Sequence, residues 1–235
     1  MFNPQAPRVE VSTRVLVFRQ SLAAAFKSLR QSMPAAPESL PALLTSCGTA
    51  GTLGRPGSRE ALQEIGARLF HIPGRDAEAQ AWWQESLASA VYAARVAQLK
   101  QASVAASFMG ALLYRAGEAL ALKILARVEL EYRMKLDSAS RREWCATHSA
   151  ELAERLTRTW NLPALPAGMP SGELTEASAE SQAVYFGRLF AIELLQPEFC
   201  VPGALDHAAA DLGLSAEHVC EVRKEDARAL IRAMN

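Results

Sequence analysis

The sequence predicts an all-α protein, a multi-helix bundle, and three observations carry that expectation. Close to a fifth of the 235 residues are alanine, and Leu, Glu, Arg and Gln, all good helix formers, are abundant. Val, Ile and Thr are modest in number and hardly ever alternate with polar residues, so the two-residue period of a half-buried strand is missing. Apolar side chains instead return every three or four positions, which gathers them on one helix face. The chain carries 25 Lys+Arg against 25 Asp+Glu. That balance removes the overall basic field needed for non-specific binding to nucleic acid or an anionic membrane. A chain of this length buries roughly 70% of the surface its unfolded form exposes, so its core needs no metal or disulfide, and its 4 Cys read as plain thiols. Charges interrupt every apolar stretch short of the roughly 18 to 20 residues of a membrane span. Arg8, Glu10, Arg14 and Arg19 stand where a signal peptide needs an apolar run. The expected location is the cytoplasm.

The elements follow in order. A first helix is expected over about Ser12 to Ser32, weakly amphipathic. Gly48, Gly51, Gly54 and Gly57, with Pro56, read as a loop, and Ser58 as the N-cap of a helix from Arg59 to Phe70. Between Gln80 and Leu99, Trp83, Leu87, Val91 and Ala94 recur at four, four and three. A second run covers Ser103 to Tyr114, and a third covers Glu118 to Leu136, with Leu120, Ile124, Val128 and Tyr132 at i, i+4 spacing. Ser140-Arg141-Arg142-Glu143 has capping-box form and opens a helix to about Trp160, which Asn161-Leu162-Pro163 stops. Leu162 to Gly172, with Pro163, Pro166 and Pro170, reads as a loop. Helices are expected beyond it at about 176 to 196, 203 to 212 and 215 to 234, the last capped by Ser215. The chain reads as one domain over 1–235, with an N-terminal helical part at 1–75, a core at 76–170 and C-terminal helices at 171–235.

Most candidate chemistry fails on context. The spaced glycines from Gly48 to Gly57 lack the Gly-Lys-Ser/Thr of a phosphate loop and the preceding strand of a dinucleotide loop. Gly168-Met169-Pro170-Ser171-Gly172 has the wrong spacing for a nucleophile elbow. Cys145 and His148 are three apart, a legal spacing for two metal ligands, but zinc needs two more. Cys47, Cys200, Cys220, His207 and His218 stand singly. No cofactor is expected. Trp82 and Trp83 project about 100° apart on a helix, so one belongs in the core and the other at a seam or against a partner.

Three segments in order resemble a known family. They are Trp82-Trp83-Gln84-Glu85-Ser86-Leu87, then Gly110-Ala111-Leu112-Leu113-Tyr114-Arg115-Ala116-Gly117, then His148 followed by Trp160-Asn161-Leu162-Pro163. Upstream, the stretch from Gly57 through Ala61 to Ile65-Gly66 is similar to a fourth. The order resembles the HDOD domain, a bacterial signalling module related to the HD phosphohydrolases, over about residues 40 to 230. In that family the segments usually read Trp-x-His-Ser, Gly-Leu-Leu-His-Asp/Asn-Ile-Gly, and His-x-x-x-Gly followed by Trp-x-Leu-Pro. The HD hydrolases hold divalent metal with a first His, a His-Asp pair and a later Asp. Here Glu85 stands at the first His and Tyr114-Arg115 at the pair, and Gly117 is what remains of that turn.

The resemblance therefore implies a degenerate HD-like core that is not an enzyme. It implies a regulatory role through contacts with other signalling proteins, while the balanced charge gives no expectation of a nucleic-acid or membrane partner. The expected interaction site is a vestigial pocket of Glu85, Tyr114, Arg115 and His148, with Trp82 and Trp83 beside it, closed by an Arg115 to Glu85 ion pair. Two alternatives stand beside this. One is a divergent metal-dependent phosphohydrolase rebuilt from Glu85, Glu118, Asp137 and His148. The other is a module binding a small nucleotide such as a cyclic dinucleotide through Arg115, or through Arg141, Arg142, Arg155 and Arg158, although Glu143, Glu151 and Glu154 alternate with those arginines as on a solvated face.

Overall fold

A computed structural model describes residues 6–31, 33–46, 56–162 and 174–234. Those residues are mainly helical, with no strand among them, so the all-α expectation holds. The expected loop glycines Gly48, Gly51 and Gly54, together with Cys47 and the prolines of 163–173, lie outside the described residues.

The centre of the bundle is α4, Asp76–Leu99. From Glu85 to Ala97 almost every side chain is buried, because small residues (Ala88, Ala90, Ala93, Ala94, Ala97) let neighbours approach on all sides. Its most extensive partner is α8, Ala179–Leu195. Gly187 makes that approach possible: a Cβ there would collide with the Ser89 carbonyl. Next comes α5, Val104–Leu112, capped by Ser103, whose hydroxyl accepts from the Ala106 amide, and α6, Ala116–Tyr132, follows it in the chain. Behind α6 lies α7, Ser138–Thr159. It buries only Cys145, Leu152 and Leu156, and the rest of its surface faces water or partly covers its neighbours.

The N-terminal part wraps one side. Helix α1, Ala6–Gln31, turns Phe18, Leu22 and Phe26 inward at i, i+4, i+8 onto α6, where the Ser21 hydroxyl donates to Tyr132 at 2.6 Å. Helix α2, Leu40–Ser46, is followed by α3, Pro56–Ile65, which continues into a π-helical turn, Gly66–Phe70. Trp160 donates its indole N–H to the Pro34 carbonyl and ties this part to the end of α7. At the far end, α9, Ala204–Asp211, α10, Ala216–Arg223, and α11, Ala227–Met234, fold back, the last two onto α4.

Four boundaries correct the sequence reading. Ser58 is not a cap: the helix starts at Pro56, and Ser58 is buried inside its first turn. Pro at N1 loses nothing, since that amide has no partner in a helix. Ser140 does not open α7 either. Asp137 is the cap, its carboxylate accepting from the Ala139 and Ser140 amides and from the Ser140 hydroxyl; a carboxylate at that position outcompetes a hydroxyl one turn later. The run toward Leu136 stops at Tyr132, where Arg133 takes a left-handed φ of 50°. The expected helix over 215 to 234 is broken into α10 and α11 at Lys224–Asp226. Ser215 does cap α10, in a full capping box with His218.

Candidate functional site

The turn between α5 and α6 places Arg115 at the N-cap of α6, next to the middle of α4. Its Nε lies 3.1 Å from Glu85 Oε2 and its Nη1 2.7 Å from Glu118 Oε2. Glu85 is buried on α4, with 5% of its surface exposed. Burial opposes the charge on Arg115, but Glu85 and Glu118 outweigh it and hold the guanidinium more firmly protonated than usual. The Trp82 ring closes the cluster, 5.3 Å from the guanidinium carbon. The expected Arg115–Glu85 pair is therefore present, with Glu118 as a second carboxylate.

The remaining expected residues divide. Trp83 is core: it packs on Phe70 at 5.2 Å and against Gly66, where a Cβ would meet the indole at 3.0 Å. Trp82, half-buried, is the second tryptophan, and what it meets is Arg115. Tyr114 turns toward α8 and stacks under Arg188 at 3.6 Å. His148 goes elsewhere. Its ring lies 4.1 Å from Phe26 and 4.6 Å from Trp144, facing α1. Grouping it with Glu85 followed the linear order of motifs, which carries no information on which way a helix face turns.

The donor set does not fit a hydrolase metal. The two carboxylates nearest the HD-like turn, Glu85 and Glu118, already share a guanidinium, and a cation there would have to displace a fixed positive charge. Asp137 uses both oxygens to cap α7. Among the described residues no group of three or more His, Cys, Asp and Glu is placed to share an ion. Cys145, three residues before His148, is buried, and burial pushes its thiol up to about 11.

The one glycine retained in the HD-like turn has a physical reason. A Cβ on Gly117 would run into the Ser149 carbonyl, so the turn that carries Arg115 and the packing of α6 on α7 both require glycine. Residues 63–167 match the family model of the HDOD domain. This stretch is similar to the HDOD domain. The match is narrower than the expected 40 to 230: it opens inside α3 and closes after α7, leaving α1, α2 and α8 to α11 of the described structure outside. No curated protein and no solved structure matches the chain.

The sequence reading missed three features around the matched stretch. Arg188 pairs with no carboxylate among the described residues, and its contact with Tyr114 crosses 74 positions that no motif links. A second buried pair, Arg75 to Glu129 at 2.7 Å, has the Leu136 amide donating to the other carboxylate oxygen and fixes the end of α6. The aromatic setting of His148 depends on α1, whose inward face is set by tertiary packing rather than by a strong pattern of its own. No helix among the described residues is long and apolar enough to cross a membrane.

Proposed function

We propose that the chain is a non-catalytic regulatory protein of a bacterial signalling pathway, acting through protein contacts made by the surface around its HDOD domain. The observation that carries this reading is the Arg115 guanidinium, neutralised by Glu85 and Glu118 at the turn where the related hydrolases place a His-Asp pair. Metal-assisted phosphoester hydrolysis needs a cation that polarises phosphate and lowers the pKa of water; a buried ion pair supplies neither. The same neutralisation counts against Arg115 as a phosphate-binding group. What the cluster presents outward is the half-buried Trp82 beside a charge pair, the kind of amphipathic group enriched at protein interfaces.

Two measurements test the reading. Elemental analysis of the purified chain and a phosphodiester assay with Mn²⁺ are expected to give no stoichiometric metal and no turnover. Stoichiometric metal with turnover that Glu85→Ala removes overturns the reading in favour of a divergent phosphohydrolase. A pull-down comparing the intact chain with a Trp82→Ala, Arg115→Ala variant of unchanged helicity is expected to lose partners. Equal recovery rejects this surface.

A further inference from the structure

A groove of about 870 Å³ runs between α1 and α7. Its floor is apolar and aromatic: Phe18, Leu22 and Phe26 from α1, with Leu136, Trp144 and His148 opposite. Phe26, Trp144 and His148 touch one another, with ring centroids 4.1 to 6.1 Å apart. The two helices run side by side in the same direction, since Phe26 meets Trp144 and His148 while Phe18 lies beside Tyr132, just ahead of α7. Ala23, small and exposed, leaves the α1 wall low. Such a furrow between two parallel cylinders, with aromatic anchors below, is shaped for a third helix.

The rims differ in charge. On α1 stand the exposed Arg19 and Lys27, eight residues and so about 12 Å apart along the helix. On α7 stand Glu143 and Glu151, the latter also paired with Arg155 at 3.0 Å. Val15, four residues before Arg19, and Leu16, 57% exposed, continue the apolar edge of α1 beyond the groove. Exposed apolar surface contiguous with an aromatic groove marks a contact site. The α1 rim calls for carboxylates, and the exposed face of a second copy's α1, which carries Arg19 and Lys27 itself, does not bring them to it.

From this geometry we infer that the α1–α7 groove binds an amphipathic helix of a partner protein, with apolar anchors on its inner face and acidic residues about two turns apart on the edge facing Arg19 and Lys27. The inference rests on the reading that the chain works by protein contact, but it uses a face separate from Arg115, so the metal and turnover measurements judge that reading independently. The test uses the full chain and two fluorescent stapled helices with identical leucine faces, one with a Glu edge and one with a Lys edge, followed by anisotropy. The Glu-edged helix is expected to bind at least about fivefold tighter, the scale of two rim ion pairs. Arg19→Glu with Lys27→Glu, both at exposed positions, reverses the order, and Ala23→Trp, which fills the groove, abolishes binding. Equal affinity for the two helices, binding indifferent to Ala23→Trp, or no binding of either at ~1 mM overturns the inference. A dimer in sedimentation that Ala23→Trp dissociates also overturns it, by assigning the groove to a second copy.

Discussion

Removing one member of a buried charge pair strands the other, and Glu85 is the side chain stranded here. Arg115→Leu leaves a carboxylate buried on α4 with its main partner gone, which costs about 3 kcal/mol of unfolding free energy. Replacing Glu85 by Leu as well recovers most of that loss, since an apolar pair of similar size is tolerated where an unpaired charge is not. Urea unfolding of the single and double variants measures the difference. A single-variant loss that the double variant repeats in full would mean Arg115 matters through packing on Trp82 instead. The thiols behave by the same logic of burial. Cys145, with its pKa pushed up to about 11, stays unmodified by a thiol reagent at neutral pH in the folded chain, while the exposed Cys220 reacts. Rapid native labelling of Cys145 would show that the lower part of α7 opens readily. The α7 cap adds a pH signature. The Ser140 amide and hydroxyl hold Asp137 below its ordinary 3.8, so its stabilisation is complete above that value and is lost as pH falls through the lower folded value. The stability gap between wild type and Asp137→Ala is therefore constant around neutrality and closes in strong acid.

Between helices, backbone proximity decides more than side-chain pattern. Gly187 lets α8 lie against the Ser89 carbonyl of α4, and Gly187→Ala must push apart the most extensive helix pair in the molecule. The expected cost is about 3 kcal/mol, the upper range of overpacking because the obstacle is backbone rather than a flexible side chain; thermal denaturation reads it directly. At the edge of the bundle Ser215→Ala removes a capping box from α10 and costs about 1 kcal/mol. Helices α4 to α6 were legible in the sequence, because long periodic runs such as Trp83, Leu87 and Val91 leave little freedom in which face turns inward. The starts of α3 and α7 were not. Ser58 and Ser140 both have the form of a cap, but α3 has already begun at Pro56, and Asp137 caps α7 three residues before Ser140. The break between α10 and α11 was overlooked although Asp226 marks it: its carboxylate accepts from the Ala229 amide at the start of α11, and Val222 and Ala227 on either side are buried.

On the scale of the molecule, the Glu85–Arg115 pair was legible because both residues fall at motif positions whose neighbourhood the resemblance supplies. The enclosure of His148 was not, since it is made by α1, far away in sequence and outside the HDOD match. The same asymmetry predicts how the chain folds. The HDOD stretch, residues 63–167, contains α4 but not α8, and α8 covers the face of α4 around Ser89 and Ala93. Tyr92, buried in the same helix, stacks on Phe190 of α8 at 5.3 Å. The α1 residues Phe18, Leu22 and Phe26 that cover α6 are likewise missing from it. A fragment of residues 63–167 thus exposes apolar surface on both sides of its central helices, and it is expected to keep helical content while losing cooperative unfolding and binding a hydrophobic dye. Extending it to the full chain restores a single sharp transition in calorimetry. A cooperative, dye-silent 63–167 fragment would show that the HDOD stretch folds alone and that α1 and α8 are additions to it; the continuous packing of α4 against α8 argues that they are one core.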